Sequence, residues 1–111
     1  MVRTSAEYES ALGETMDRIA TRFDPDKIIL FGSAARGDSG LDSDADLLIV
    51  MAVDGSKRQQ AVKIDLALEG IPIPIDLILV TPDEVEKYRE TAGTIIREAV
   101  REGKVLYERA A

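Results

Sequence analysis

The sequence predicts an α/β fold in which a small β-sheet is covered by helices. Short apolar, β-branched segments bounded by glycine or proline alternate along the chain with longer amphipathic segments. The predicted order is helix, strand, short helix, strand, helix, strand, two helices and a last strand, which is typical of helices packed on a sheet. A length of 111 residues, 45% of them apolar, fits one domain spanning 1–111 with a modest core.

The first elements are a long helix and a short buried strand. The helix is predicted over 5–22 with Ser5 as its N-cap, because apolar residues recur at helical spacing. These residues are Tyr8, Leu12, Met16, Ile19 and Phe23. The apolar segment 27–31 between Pro25 and Gly32 predicts a strand. A turn-rich segment from Gly32 to Ser43 follows, and its first part, 33–36, favours a short helix.

The middle of the chain predicts two further strands that flank a helix. The strands are expected over 47–53 and 73–80, and the helix over 57–68, with Gly55 and Ser56 at its start. The expected inner face of this helix contains Val62, Ile64 or Asp65, Leu66 and Leu68. Pro74 cannot donate to a ladder, so the third strand should begin at a sheet edge or outside the pairing.

The C-terminal part predicts two helices and a strand. Thr81, Pro82 and Glu84 form a capping-box pattern for a helix over about 82–90. The next helix begins at Thr91 or Thr94 and ends at Glu102, with Ile95, Ile96, Ala99 and Val100 facing inward. Gly103 is the expected C′ residue, and 105–107 is the last strand.

Composition excludes several classes of site. The chain has no Cys and no His, which removes disulfides, thiolate zinc sites and the usual general base. Chemistry must then come from carboxylates, hydroxyls, Lys or Arg, and carboxylates suit Mg²⁺. A net charge of −7 disfavours direct nucleic-acid binding. The sequence shows neither an apolar signal region nor a membrane-spanning run, so the expected location is cytoplasmic, with no membrane partner.

Gly32 and Ser33 follow the first strand directly. Glycine allows a sharp turn and close approach of a ligand, and Ser33 would open a helix whose free N–H groups can bind a nucleotide phosphate. The alternative interpretation is a plain strand-to-helix turn with a serine cap, and these two residues alone favour that interpretation.

Asp44 and Asp46 lead into the second predicted strand. Residues i and i+2 of a strand face the same side, so these carboxylates should project together, roughly 7 Å apart at Cα. One or two Mg²⁺ ions would relieve their repulsion, and paired ions of this kind serve phosphoryl and nucleotidyl transfer. The alternative is a solvated loop edge carrying the acids Asp42, Asp44 and Asp46.

Asp76 lies inside the apolar strand 73–80. A bare carboxylate is costly there unless it is paired or ligated, so Asp76 would complete a three-carboxylate cluster if this strand neighbours the second one. It would also be the natural base for an attacking hydroxyl. The alternative is an edge-strand aspartate that faces water.

The spacing of these residues resembles a known family. Gly32-Ser33, ten residues, then Asp44-Ala45-Asp46 is similar to the Gly-Ser-x10-Asp-x-Asp pattern of the DNA polymerase β-like nucleotidyltransferase superfamily, and the wording FGSAARGDSGLDSDADLLIV resembles its minimal (MNT) branch. The resemblance implies a small mixed sheet flanked by helices. It further implies that Asp44, Asp46 and Asp76 hold two Mg²⁺ ions and that Gly32, Ser33 and Arg36 hold the triphosphate. Ala34 departs from the pattern of many relatives, which carry a polar residue there.

The function implied by the resemblance is Mg²⁺-dependent transfer of NMP, with AMP from ATP the first expectation, to a hydroxyl on a partner protein. Small members of the branch are often antitoxins of HEPN-domain partners, which implies a toxin–antitoxin pair. The alternative is a non-catalytic antitoxin or binding module that neutralises its partner by contact.

Overall fold

A computed structural model describes residues 4–36 and 44–110, in which one four-stranded mixed sheet carries helices on both faces. The strands are β1 (Lys27–Phe31), β2 (Ala45–Val50), β3 (Ile75–Val80) and β4 (Lys104–Glu108). The helices are α1 (Ser5–Phe23), α2 (Ser33–Arg36), α3 (Lys57–Ala67), α4 (Pro82–Tyr88) and α5 (Ile95–Glu102). This architecture confirms the predicted α/β class and the mixed sheet.

The strand order is β3-β2-β1-β4, which leaves β3 and β4 at the edges. β1 pairs antiparallel with both β2 and β4, whereas β2 pairs parallel with β3. Pro74 lies just outside β3, where its carbonyl accepts a hydrogen bond from the Ala45 amide at 2.9 Å. The expectation that the third strand begins at a sheet edge or outside the pairing is therefore confirmed, because Pro74 lies outside the ladder.

Each face of the sheet has its own apolar core. The first core joins Ala45, Leu47 and Ile49 of β2 to α1 and α3, and the second joins Leu48 and Val50 to α4 and α5. Because side chains alternate along a strand, β2 feeds both layers and is almost fully buried. Within the part of the chain that the structure describes, no helix is long and apolar enough to cross a membrane.

Several boundaries differ from the prediction for local reasons. Thr4, one residue before the expected Ser5, is the N-cap of α1, and its hydroxyl accepts a hydrogen bond from the Glu7 amide at 3.1 Å. β2 occupies 45–50 rather than 47–53, because β1 supplies partners for 46–50 and β3 supplies partners for 45–50. β3 begins at residue 75 rather than 73, since proline lacks the amide that a ladder needs.

The predicted inner face of α3 is partly wrong. Ile64 and Leu68 are buried, but Val62 and Leu66 are 49% and 66% exposed. Ala67, three residues after Ile64 and on the same face of the helix, is buried instead. A hydrophobic pattern gives little weight to a small residue such as alanine. The larger apolar side chains of Val62 and Leu66 were therefore assigned to the buried face in place of Ala67.

The two helices of the C-terminal half begin where the sequence predicts. Thr81 and Glu84 form the predicted capping box, in which the Thr81 hydroxyl accepts from the Glu84 amide and the Glu84 carboxylate accepts from the Thr81 amide. Thr94 caps α5 by accepting from the Arg97 amide at 3.1 Å. Ile95 was expected to face inward and is instead 47% exposed.

Glycine is needed at position 103 for a different reason from the one predicted. It caps α5 with φ −80°, an ordinary extended backbone, rather than the left-handed conformation expected of a C′ glycine. A Cβ at this position would lie 2.5 Å from both the Ala99 carbonyl oxygen and Ile29 Cγ2. Gly103 is therefore required because α5 ends directly against β1.

We predict that Gly103→Ala lowers the free energy of unfolding by about 1–3 kcal/mol, the range for overpacking a tight core. Gly13→Ala is the matched control, because Gly13 lies in α1 with no atom near its missing Cβ. There alanine should raise stability by roughly 0.5–1 kcal/mol through its helix propensity. Urea denaturation measures both variants, and equal effects would contradict the packing argument.

Candidate active site

The pairing of β2 with β3 places two aspartates side by side. Asp46 and Asp76 are direct partners in the parallel register. Asp46 is half-buried and Asp76 is exposed, at the sheet edge. The strand alternation puts Asp46 on the α4 and α5 face, together with Leu48 and Val50. β3 therefore lies beside β2, which is the arrangement that a three-carboxylate cluster requires.

Asp44 completes the acidic group from just outside the sheet. It is exposed and precedes β2 directly. Its charge and that of Asp76 both act on Asp46, as does Glu98 of α5. Four carboxylates thus share one electrostatic environment at the end of the sheet where β2 and β3 begin.

Burial and these neighbouring negative charges raise the pKa of Asp46. Burial is the largest cause, followed by Asp76, Asp44 and Glu98. Both causes disfavour the ionised form, because burial removes water and the other carboxylates repel a further negative charge. The site consequently favours binding of a cation.

Gly32 closes one side of Asp46. It follows β1 with φ +74°, a conformation that glycine adopts readily and other residues adopt at a cost. A Cβ there would lie 2.6 Å from Asp46 Oδ2, so the Gly32 backbone packs directly on the carboxylate. This contact is a consequence of the antiparallel register, in which Phe31 lies opposite Asp46.

The other predicted phosphate-binding residues are placed in part. Ser33 is half-buried and begins α2, immediately after Gly32. Arg36 ends α2, and its side chain lies outside the described part of the structure, as does Asp42. A phosphate-binding role for Gly32, Ser33 and Arg36 remains a prediction.

The acidic side chains are of the ligand type that a divalent metal prefers, but they do not form a complete binding site by themselves. Within residues 4–36 and 44–110, no three acidic side chains converge closely enough to hold an ion by themselves. Mg²⁺ usually binds one or two carboxylates and completes its shell with waters and substrate phosphates. Asp46 beside Asp76, with Asp44 near, provides such a partial oxygen set.

The Tyr8 hydroxyl lies within the electrostatic range of these carboxylates, which the sequence pattern did not indicate. Its ring packs on the α1 and α3 core, as the apolar stripe predicts. Burial and then the charges of Asp46, Glu9 and Asp44 raise the pKa of its hydroxyl. Apolar periodicity places an aromatic ring but gives no information about where its hydroxyl points.

Comparison with known proteins assigns the chain to a class. Residues 14–111 match the family described as "Polymerase beta, Nucleotidyltransferase", so the chain belongs to that family. Membership supports a nucleotidyltransferase, with NMP transfer as its general function.

Two solved structures are similar over nearly the whole chain. One is a "putative nucleotidyltransferase from Sulfolobus solfataricus", with TM-score 0.62 and 20% identity, covering 98% of this chain and 93% of that one. At this identity it shows the fold. The other is a "putative minimal nucleotidyltransferase", with TM-score 0.55 and 26% identity, covering 89% of this chain and 88% of that one. This second likeness supports the minimal branch predicted from the sequence. No curated protein sequence matches the chain.

We predict that Asp46→Asn raises the free energy of unfolding at neutral pH in the absence of divalent metal. The raised pKa means that the folded wild type holds its proton more tightly than the unfolded chain, so wild-type stability falls as pH rises from the unfolded pKa through the folded one. The advantage of the variant should disappear below both values. Denaturation across this pH range in EDTA measures it.

Asp54→Asn is the charge-matched control for that experiment. Asp54 is exposed in the segment between β2 and α3, beyond the opposite end of β2. Its removal should change stability by less than about 0.5 kcal/mol. An Asp46→Asn variant that is no more stable than the control would contradict the account of the electrostatics.

A second prediction separates the two constraints on Gly32. Gly32→Ala and Gly55→Ala both place alanine at positive φ, which costs about 1–2 kcal/mol. Only Gly32→Ala adds a clash with Asp46, since nothing lies within 4 Å of a Cβ at Gly55. We therefore expect Mg²⁺-dependent ATP binding to weaken in Gly32→Ala alone. Equal binding by the two variants, measured by calorimetry, would contradict a role for this contact.

Proposed function

We propose that the protein is a Mg²⁺-dependent nucleotidyltransferase that moves an NMP group, AMP from ATP, to a hydroxyl on a partner protein. The observation that carries this proposal is the pairing of Asp46 with Asp76, with the Gly32 backbone packed on the Asp46 carboxylate. The family supports nucleotidyl transfer in general. The metal, the nucleotide and the acceptor are the proposed refinements.

Asp44, Asp46 and Asp76 would hold Mg²⁺, two ions by the family resemblance. Bound there, the metal would neutralise charge on the triphosphate and on the departing pyrophosphate. The raised pKa of Asp46 is consistent with a site that is completed by cations, because the groups acting on it are other carboxylates. Gly32, Ser33 and Arg36 would hold the triphosphate, with the Gly32 backbone next to Asp46.

Asp76 would accept the proton of the attacking hydroxyl. Its side chain is exposed on the edge strand β3, where a protein acceptor can approach from solvent. The acceptor oxygen would form a bond to the α-phosphorus as the bond to the β-phosphate bridging oxygen breaks. Pyrophosphate leaves, and the proton passes to the Asp76 carboxylate.

The partner that we propose is a HEPN-domain toxin, with this chain as its antitoxin. The support is the resemblance to the minimal branch, together with a net charge of −7, which favours association with a basic partner. The alternative remains an antitoxin that neutralises by contact and does not need its carboxylates.

The test is transfer of label from each α-labelled NTP in Mg²⁺, with and without proteins of the native lysate. We expect label from ATP on a protein band, lost by at least about a hundredfold in Asp44→Asn and Asp46→Asn, because each removes a metal ligand. Asp54→Asn should transfer normally. Transfer at the wild-type rate by either site variant would contradict the proposed mechanism.

Neutralisation of the partner separates the two forms of the proposal. If transfer is required, Asp46→Asn fails to neutralise the toxin in cells while the folded variant still accumulates. Full neutralisation by Asp46→Asn would instead establish inhibition by contact.

A further inference from the structure

β3 is an edge of the sheet, and among the described residues no strand pairs with its outer side. On its inner side, the Ala45 amide donates to the Pro74 carbonyl at 2.9 Å. At the other end of the strand, the Met51 amide donates to the Val80 carbonyl at 3.0 Å. In a parallel ladder, residues that bond a given neighbour alternate along the strand, so the even-numbered residues of β3 bond β2. The residues whose N–H and C=O groups point to the open edge are Ile75, Leu77 and Leu79.

The two edge strands of the sheet differ in how they discourage further pairing. β4 carries Lys104 and Glu108 at its ends, and the register of its pairing with β1 shifts between Ile28 and Ile29. Charged ends and an irregular register commonly protect an edge strand. β3 instead pairs with β2 without a shift over all 6 of its residues, among which Asp76 carries the single charge. The edge formed by β3 is therefore regular and mostly apolar, the form that accepts a further strand.

Asp76 gives this open edge a chemical function. Its side chain is exposed and, by strand alternation, lies on the same face as Ile78 and Val80, which pack towards α4 and α5. Asp46 lies on that face one strand further in. A strand added beside β3 would continue the pleat, so its residue opposite Asp76 would project from this face, about 5 Å away at Cβ. A hydroxyl side chain at that position would reach the Asp76 carboxylate.

The charge around the edge selects the kind of strand that fits it. Asp44 precedes β2 directly and Asp46 pairs with Asp76, so negative charge is concentrated where β2 and β3 begin. A second copy of the chain would bring the same carboxylates and a further net charge of −7 to this edge, which is unfavourable. A strand with lysine or arginine on the face shared with Asp76 is complementary to it. The edge therefore fits a basic segment of another protein.

We propose that the outer edge of β3 docks the acceptor protein as an extended basic segment, which pairs antiparallel with residues 75–79 and presents its hydroxyl to Asp76. The inference rests on the proposed nucleotidyl transfer and adds to it the conformation and charge of the acceptor. Main-chain hydrogen bonds supply the affinity in this mode of recognition, and the antiparallel direction is the more stable one. The docked hydroxyl oxygen then bonds to the α-phosphorus, pyrophosphate leaves, and the proton passes to Asp76.

A synthetic peptide tests the docking edge. The probe has about nine residues, in which lysine alternates with valine and a tyrosine replaces the central lysine. With this tyrosine opposite Asp76 in antiparallel register, the valine amides face β3 and the lysine amides face away. N-methylation of the two valines beside the tyrosine therefore removes hydrogen bonds to β3. N-methylation of the two nearest lysines is the matched control, because it leaves those hydrogen bonds intact.

Hydrogen exchange followed by NMR measures docking without relying on activity. We expect the unmodified peptide to slow exchange at the amides of Ile75, Leu77 and Leu79 by about tenfold or more, and to leave the amides of β4 unchanged. The lysine-methylated peptide should do the same, whereas the valine-methylated peptide should have no effect. With Mg²⁺ and α-labelled ATP, the first two peptides should accept label at least about tenfold faster than the valine-methylated one.

The outcomes distinguish this inference from the function on which it rests. Equal protection by the two methylated peptides, or no protection by any peptide, would overturn docking at β3. Label transfer by the wild type without protection of these amides would do the same and leave the transferase intact. Protection that rises with protein concentration in the absence of peptide would assign the edge to a second copy and overturn the proposal. Protection without transfer to any acceptor, including the proteins of the native lysate, would overturn the proposed function and support the docking edge.

Discussion

The register of β2 between β1 and β3 is the constraint on which the rest of the molecule depends. It places Asp46 beside Asp76 and opposite Phe31, next to the Gly32 backbone. A slip of one residue would turn Asp46 into the core beneath α1 and α3. Burial of each leucine or isoleucine in β2 is worth about 1.5–3 kcal/mol. Repulsion between two partly exposed carboxylates is on the order of 1–4 kcal/mol even at contact distance. The apolar core therefore holds the acids together against their repulsion.

Much of this arrangement could be predicted from sequence because it depends on local chemistry. The strand β1 and the capped starts of α3, α4 and α5 follow from short apolar runs and from Ser56, Thr81 and Thr94. The family pattern joins Gly32 to Asp44 and Asp46 through fixed spacing. The start of β3 after Pro74 follows from sequence as well, since a residue without an amide cannot donate to a ladder.

The remaining features depend on contacts between distant segments. The partnership of Asp46 with Asp76 requires β3 to pair parallel to β2, and no local pattern specifies that pairing. Gly103 has the expected residue type for a helix end, but its true reason is the closeness of α5 to β1. The charges of Asp46 and Asp44 act on the Tyr8 hydroxyl, although the Tyr8 ring belongs to the apolar stripe of α1. Sequence periodicity assigns faces to elements, whereas a site depends on where the faces of different elements meet.

The central claim is that the acidic end of β2 and β3 binds a metal–nucleotide complex. The most direct measurement is a crystal structure with Mn²⁺ in place of Mg²⁺ and a non-hydrolysable ATP analogue, with the metal located by its anomalous scattering. The account predicts an anomalous peak within bonding distance of Asp46 and of Asp44 or Asp76, with phosphate oxygens completing its coordination. A nucleotide bound elsewhere, or a metal with no contact to Asp46, would contradict it.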